Sequence, residues 1–377
     1  MTTTRDPAAG ASRLDFLDSL RGLAVGLVLL QHVGELASPV VRDLAEQGVQ
    51  LGQLGVMLFF LCSGFIIPAS LERGSGAAGR ALAVRRFWRS RFFRLYPLYW
   101  ASLVGALLLA TTGATTSAEP LGAVDWLVNA TMLQGLAGSP HALGLYWTLT
   151  LELVFYAAMS GLLLLGWHRR SVALSLSASG VCLLAAALAE PVLGRPAPLA
   201  LFCLATMFTG TVFHRWHRGD VGLRTLAGCV GSAVVAGTVL LFSVLAGRER
   251  AEFGGTRSLV PMLAAWLGAY LLFCTVVALR GRSMPRPLVR LGALSYSVYL
   301  LQPLVLIAVP AVPGAPWLSA VLWVGVILAA SWCTHRWIEL PAVRWGRRER
   351  RSAVLATVIP APRRPRTSPD LRLAAGQ

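Results

Sequence analysis

Long apolar runs separated by short arginine-bearing stretches set the pattern of this chain. A hydrocarbon core of ~30 Å is crossed by about 20 residues rising 1.5 Å each. Runs of adequate length fall at about ten positions: 19–36, 51–71, 95–112, 143–167, 171–193, 198–213, 225–246, 259–279, 291–309 and 317–336. The sixth is the weakest. A shorter apolar piece, 124–136, is too brief to span and predicts an interfacial or re-entrant segment. The expected fold class is therefore all-α, a polytopic transmembrane bundle of about ten helices.

Arginine placement orients this bundle, because cytoplasmic loops are enriched in basic residues. The 34 basic residues are all Arg, and with the N-terminus inside, 29 of them fall on the cytoplasmic side. Both termini are then expected in the cytoplasm. Three regions follow: a cytoplasmic segment 1–18, a membrane domain 19–343, and an Arg- and Pro-rich tail 344–377 whose composition predicts disorder.

Composition narrows the classes. With 55% hydrophobic and 14% charged residues, the chain lies outside the range of soluble domains. A net charge of +17 raises nucleic-acid binding, but the arginines lie between apolar runs and build no single basic face. The polar start and the charged first run do not fit a cleaved signal peptide. The cysteines, Cys62, Cys182, Cys203, Cys229, Cys274 and Cys333, have no metal-ligand or redox spacing and read as small core residues. His214 and His217 stand at i, i+3, but Arg215 and Arg218 beside them favour a basic loop over a metal site. No metal is expected, and "NAT" at Asn129 matches the glycosylation pattern by chance.

Ionisable residues inside apolar runs carry the chemistry. Arg21 and His32 are eleven residues apart, three turns plus about 20°, so they share one helix face ~16 Å apart along the axis. Glu35, one turn further, is an acceptor available to orient the imidazole. Glu152, in "LYWTLTLELVFY", stands nine residues below Leu143, or ~14 Å deep if that run starts at the outer surface, which matches the depth of His32 and predicts a shared cavity. In "RRFWRSRFFRLYPLYW", Arg91 and Arg94 share a helix face, and their guanidinium forks suit the phosphates of a polyphosphate such as coenzyme A. Glu339 in "RWIELP" is expected to form a helix-end salt bridge.

Taken in order, "LDSLRGLAVGLVLLQH", "GVMLFFLCSGFII", "RFFRLYPLYW", "YWTLTLELVFY", "LGALSYSVYLLQP" and "RWIELPAVRW" resemble the integral-membrane acyltransferase family 3, bacterial O-acyltransferases of surface sugars and some macrolides. The family's Arg-x10-His pattern falls on Arg21 and His32, its Arg-x-x-Arg on Arg91 and Arg94, and its Trp-to-Glu motif on Trp147 and Glu152. The resemblance implies that His32 and Glu152 belong to the acyl-transfer centre and that the arginines face a cytosolic acyl-CoA. Met57 and Gln302 depart from the family's pattern at positions often polar in it.

The expectation is thus a multi-pass O-acyltransferase of the bacterial cytoplasmic (inner) membrane. It takes acyl-CoA, foremost acetyl-CoA, as co-substrate, holds no permanent cofactor, and passes the acyl group to a hydroxyl of a sugar or glycosylated natural product. His32 is the expected general base, oriented by Glu152 or Glu35. Ser63, Tyr296 and Tyr299 are candidate hydrogen-bond donors, and Arg21, Arg91, Arg94 and Trp147 candidate contacts to the donor. The rival reading is a transporter whose buried Arg, His and Glu line a substrate path. The absence of an internal repeat relating the first five runs to the last five weighs against it.

Overall fold

A computed structural model describes residues 15–72, 79–114, 116–117, 119–194, 197–246 and 259–346, which contain helices and no strand. Ten long helices appear where the apolar runs predict them: α1 (Asp15–Ala37), α2 (Leu51–Glu72), α3 (Arg80–Thr111), α4 (Trp147–Leu165), α5 (Ser171–Leu193), α6 (Leu199–His217), α7 (Leu223–Ala246), α8 (Leu259–Ala278), α9 (Arg286–Ala308) and α10 (Pro316–Thr334). Nine segments among the described residues are long and apolar enough to cross a membrane. The tenth helix is α6, the weakest run in the sequence, whose last turn carries His214, Arg215 and His217.

Several boundaries differ from the sequence pattern, most of all that of α3, which begins at Arg80, fifteen residues before its apolar run, and so takes the arginine-rich stretch into the helix. Helix α1 is described from Asp15 onward, where Asp15 and Asp18 complement the helix dipole, so four residues expected in the N-terminal segment are helical. Residues 1–14 lie outside the described residues. At the other end, α10 passes through a wide turn, His335–Glu339, into helix that reaches residue 346. The proposed tail therefore starts inside a helix, and the rest of it, 347–377, lies outside the described residues.

Helix α2 forms the centre of the bundle, packed by α1, α6, α8 and α4. Small residues permit these contacts. A Cβ on Gly64 of α2 would stand 2.0 Å from the Met207 carbonyl oxygen of α6, and one on Gly55 would stand 2.4 Å from that of Ala24 in α1. Helices α1 and α9 cross as closely, with Gly22 and Gly292 at the crossing. In a bilayer, where lipid tails are as apolar as Leu, such backbone approach supplies the dispersion contact that holds helices together. Helices α5 and α7 pack on α6 and on each other at the periphery, and α10 leans on α9 and α1.

The segment between α3 and α4 turns back into the bundle. Its two short helices, Ala123–Ala130 and Gln134–Ala137, fill the apolar piece that was too brief to span. Three side chains of α3 hold the turn: Tyr96 donates to the Thr131 carbonyl (2.9 Å), Tyr99 to that of Asn129 (2.6 Å) and the Trp100 indole to that of Ala130 (2.9 Å). Those residues lie 11 to 15 positions before Thr111, so the segment descends ~16–22 Å from the end of α3. It is re-entrant, and its buried Asn129 satisfies its backbone by accepting from Ala142 N and donating to the carbonyls of Asp125 and Pro140.

This return decides where α4 starts. Tyr146 meets Ser102 of α3 (2.8 Å) and Trp88 meets Ser160 (3.1 Å), so α4 begins well inside the far end of α3. The antiparallel register between those two contacts places Glu152 level with Leu95 and Tyr96.

Candidate functional site

Glu152 sits in the arginine-rich half of the bundle. One of its carboxylate oxygens, Oε1, accepts from Ser63 Oγ of α2 (3.1 Å) and from the Tyr156 hydroxyl (2.5 Å) one turn along α4. The Arg91 guanidinium lies over the rings of Phe87 (5.2 Å) and Tyr156 (5.5 Å), so Tyr156 links the carboxylate to the cation. Beside them a groove of about 390 Å³ opens between α3 and α4, lined by Trp88, Arg89, Arg91, Phe92, Leu95, Tyr96 and Leu153.

The other two arginines of the sequence pattern approach from α1 and α3. Arg21 donates to Ser295 Oγ of α9 (2.9 Å) and lies 3.8 Å from Asp18. Arg94 lies 3.5 Å from Glu339, which is 2% exposed and forms the expected helix-end ion pair. Arg94 and Glu339 are both among the charges acting on Arg21. Arg21, Arg91, Arg94 and Glu152 thus occupy one region.

His32 does not join them. The Gly52 amide donates to Gln31 Oε1 (2.6 Å), and Gly55 packs on Ala24 and Val28, which fixes the antiparallel register of α1 and α2. That register sets Ser63 level with residues near Leu20, so His32 stands about a dozen residues, or ~18 Å, toward the far end. The matched depth of His32 and Glu152 expected from sequence is therefore corrected. It rested on α4 starting at the outer surface, whereas the re-entrant segment makes α4 start within the bundle.

The partner expected to orient the imidazole is corrected too. His32 Nδ1 lies 2.9 Å from the Val28 carbonyl, and since a carbonyl only accepts, Nδ1 carries a proton, which in the neutral ring makes Nε2 the nitrogen with the lone pair. Glu152 accepts from Ser63 and Tyr156 instead, and the position at Nδ1 expected for a carboxylate is taken by the Val28 carbonyl. The ring is exposed, on the face of α1 that carries Arg21. A neutral imidazole held this way is a base with its free nitrogen available.

The candidate donors are mostly committed to protein. Tyr296 donates its only proton to the Leu95 carbonyl (2.7 Å), tying α9 to α3. Tyr299 shares a hydrogen bond with Thr148 (2.9 Å) at the start of α4. Ser63 gives its proton to Glu152 and presents lone pairs alone. Trp147 packs edge-on against Phe60 of α2, 6.2 Å between ring centres.

Sequence reasoning passed over Tyr156, Ser295, Ser297 and the Val28 carbonyl. Tyr156 had a legible signal, since it lies four residues from Glu152 on one helix face. The others have none, because a buried serine or a backbone carbonyl becomes notable only through what it touches. A second ionic cluster joins α2 to α6: Glu72 binds Arg215, Arg218 (2.9 Å) and, at 3.9 Å, His214. Nearby, burial pushes His168, in the turn after α4, below the usual imidazole range, Glu72 opposing and Arg215 reinforcing the shift.

Comparison with known proteins matches residues 14–336 of the sequence to the model of a family described as an acyltransferase domain. Nodulation protein 10 of Rhizobium leguminosarum bv. viciae is 30% identical over 132 residues, 30% of this chain and 34% of that protein. Acyltransferase MdmB of Streptomyces mycarofaciens is 28% identical over 160 residues, 38% of each chain. The chain thus spans little more than a third of the length of these curated relatives. No solved structure matches it.

Proposed function

The chain belongs to the acyltransferase-domain family, and from that premise we propose that this multi-pass membrane protein moves an acyl group, foremost acetyl, from acyl-CoA to a hydroxyl of a sugar or glycosylated natural product. The arginine-rich end faces the cytosol of a bacterial cell, as the basic bias favours. The donor enters there, its phosphates meeting Arg21, Arg91 and Arg94. A pantetheine arm is worth about four residues of extended chain, ~14 Å. An arm of that length carries the thioester from the arginines toward the level of His32, so the separation of the two levels becomes a means of placing the reacting carbonyl.

His32 then acts as general base. Nε2 takes the proton of the acceptor hydroxyl as its oxygen attacks the thioester carbonyl. The tetrahedral intermediate collapses with cleavage of the C–S bond, and the departing thiolate receives the proton from the imidazolium. The Val28 carbonyl holds the tautomer throughout. Glu152, fixed by Ser63 and Tyr156, supplies a negative charge that keeps Arg91, which lies over the Tyr156 ring, directed into the donor path. The observation that carries this reading is the anchored Nδ1 of His32, which leaves an exposed Nε2 on the arginine-bearing face of α1.

The test uses purified full-length protein in nanodiscs with acetyl-labelled acetyl-CoA and a panel of sugars and glycosides. Label is expected to move to an acceptor as a base-labile ester, and His32→Ala is expected to lower that rate by roughly 10²–10⁴ without altering melting. A folded His32→Ala protein with full transfer refutes the assignment. Uptake of substrate into vesicles without consumption of acyl-CoA refutes the enzyme reading in favour of transport.

A further inference from the structure

Glu339 is a buried carboxylate that the reaction above does not use. It sits at the end of the wide turn His335–Glu339, beyond α10, and is 2% exposed. Its two oxygens are divided. Oε2 lies 2.9 Å from His335 Nδ1 and accepts from Ser297 Oγ of α9 (3.2 Å), while Oε1 faces Arg94 Nη1 of α3 at 3.5 Å. Two uncharged-capable donors from two elements thus fix the carboxylate, and its remaining oxygen meets a guanidinium that is itself 30% exposed.

Arg94 needs such an anchor. Arg21 stands nearby, since Ser295, which accepts from Arg21, lies two residues along α9 from Ser297, which donates to Glu339 beside Arg94, and two like charges in a partly dry space repel. Asp18 is the counter-charge on the side of Arg21, 3.8 Å away, and Glu339 is the counter-charge on the side of Arg94. Without Glu339, the repulsion would be relieved by Arg94 turning out to water, leaving a polyanion one arginine where it now meets two. The 3.5 Å gap is longer than a hydrogen bond, so the N–H groups of Arg94 remain open to phosphate oxygens.

We propose that Glu339, itself held by His335 and Ser297, is a positioning residue that keeps Arg94 beside Arg21 for the phosphates of the acyl-CoA donor. This rests on the donor reading of the arginines given above. The assay is equilibrium binding of radiolabelled acetyl-CoA to the full chain in nanodiscs, with melting recorded for each variant. Arg94→Gln is expected to weaken binding roughly tenfold, the loss of one charge-assisted phosphate contact. Glu339→Gln is expected to weaken it by a similar factor, and Arg94→Gln/Glu339→Gln no further than Arg94→Gln alone. Glu339→Asp is expected to recover part of the loss.

If Arg94→Gln weakens binding while Glu339→Gln leaves it within about twofold or tightens it, or if the two losses multiply, the positioning role is overturned and the donor reading stands. If Arg94→Gln itself leaves binding unchanged, the donor reading of Arg94 fails, and the proposal with it. Should Glu339→Gln not fold, Ser297→Ala and His335→Gln loosen the same carboxylate. Both are expected to weaken binding only while Arg94 is present, and unchanged binding in the two refutes the proposal.

Discussion

Placing a methyl group at the crossing of α1 and α9 tests both the packing and its link to the site. A Cβ on Gly292 would lie 1.8 Å from the Asp18 carbonyl oxygen, whereas carbon and oxygen touch comfortably at ~3.3 Å. Helix α9 must therefore retreat from α1 by ~1.5 Å. The Arg21–Ser295 bond, 2.9 Å long, joins these helices one turn away and would be drawn past the hydrogen-bond limit. Overpacking costs ~1–3 kcal/mol, and the loss of a bond to a partly exposed arginine adds ~1.5 kcal/mol. Alanine returns ~1 kcal/mol in helix propensity, so Gly292→Ala should destabilise by ~1.5–3.5 kcal/mol. Thermal unfolding followed with a thiol-reactive dye measures this, because Cys62, Cys182, Cys203 and Cys229 are buried. Gly228→Ala on α7, where an added Cβ meets nothing within 4 Å, is the control and should hold or raise the melting temperature. A Gly292→Ala protein that melts with the wild type and binds acetyl-CoA equally well would refute both the register of α1 on α9 and its coupling to Arg21.

Two further outcomes follow from the site and its surroundings. Glu152→Ala leaves the Tyr156 hydroxyl and Ser63 without their acceptor, a loss of ~1–3 kcal/mol, while Glu152→Gln keeps both bonds and removes only the charge. Melting should therefore separate the two variants and acetyl-CoA binding should fall in both, and equal melting would contradict the observed bonding. His168 has a folded pKa depressed chiefly by burial, so below its unfolded value of ~6.5 the unfolded chain binds a proton that the folded one refuses. Its contribution to stability is full above that value and is lost as pH falls toward the depressed one. Melting between pH 7.5 and 5 should show that His168→Gln is less acid-labile than the wild type, and parallel curves would refute the role of burial.

The architecture was legible because membrane insertion writes itself into local sequence. Each span must be apolar over about 20 residues, whatever it packs against, so run length alone located ten helices, including α6 with its weak apolar run. The candidate site residues were legible for the same reason, since Arg21, His32 and Glu152 stand out as ionisable groups among apolar neighbours. Helical period placed Arg21 and His32 on one face, and the chain keeps them there.

Relative depth was a different matter, decided by tertiary structure alone. Periodicity fixes angles within a helix, but where one helix stands beside another depends on contacts made across the bundle. Three hydrogen bonds from Tyr96, Tyr99 and Trp100 pull the segment after α3 inward, and this one return displaces Glu152 from the level of His32 to that of the arginines. The same holds for the partners. Val28 orients His32 through a backbone carbonyl, and Ser295 and Ser297 serve Arg21 and Glu339 as ordinary serines in an apolar helix. Such groups are chemically silent in a sequence, and proximity in the folded chain gives them their work.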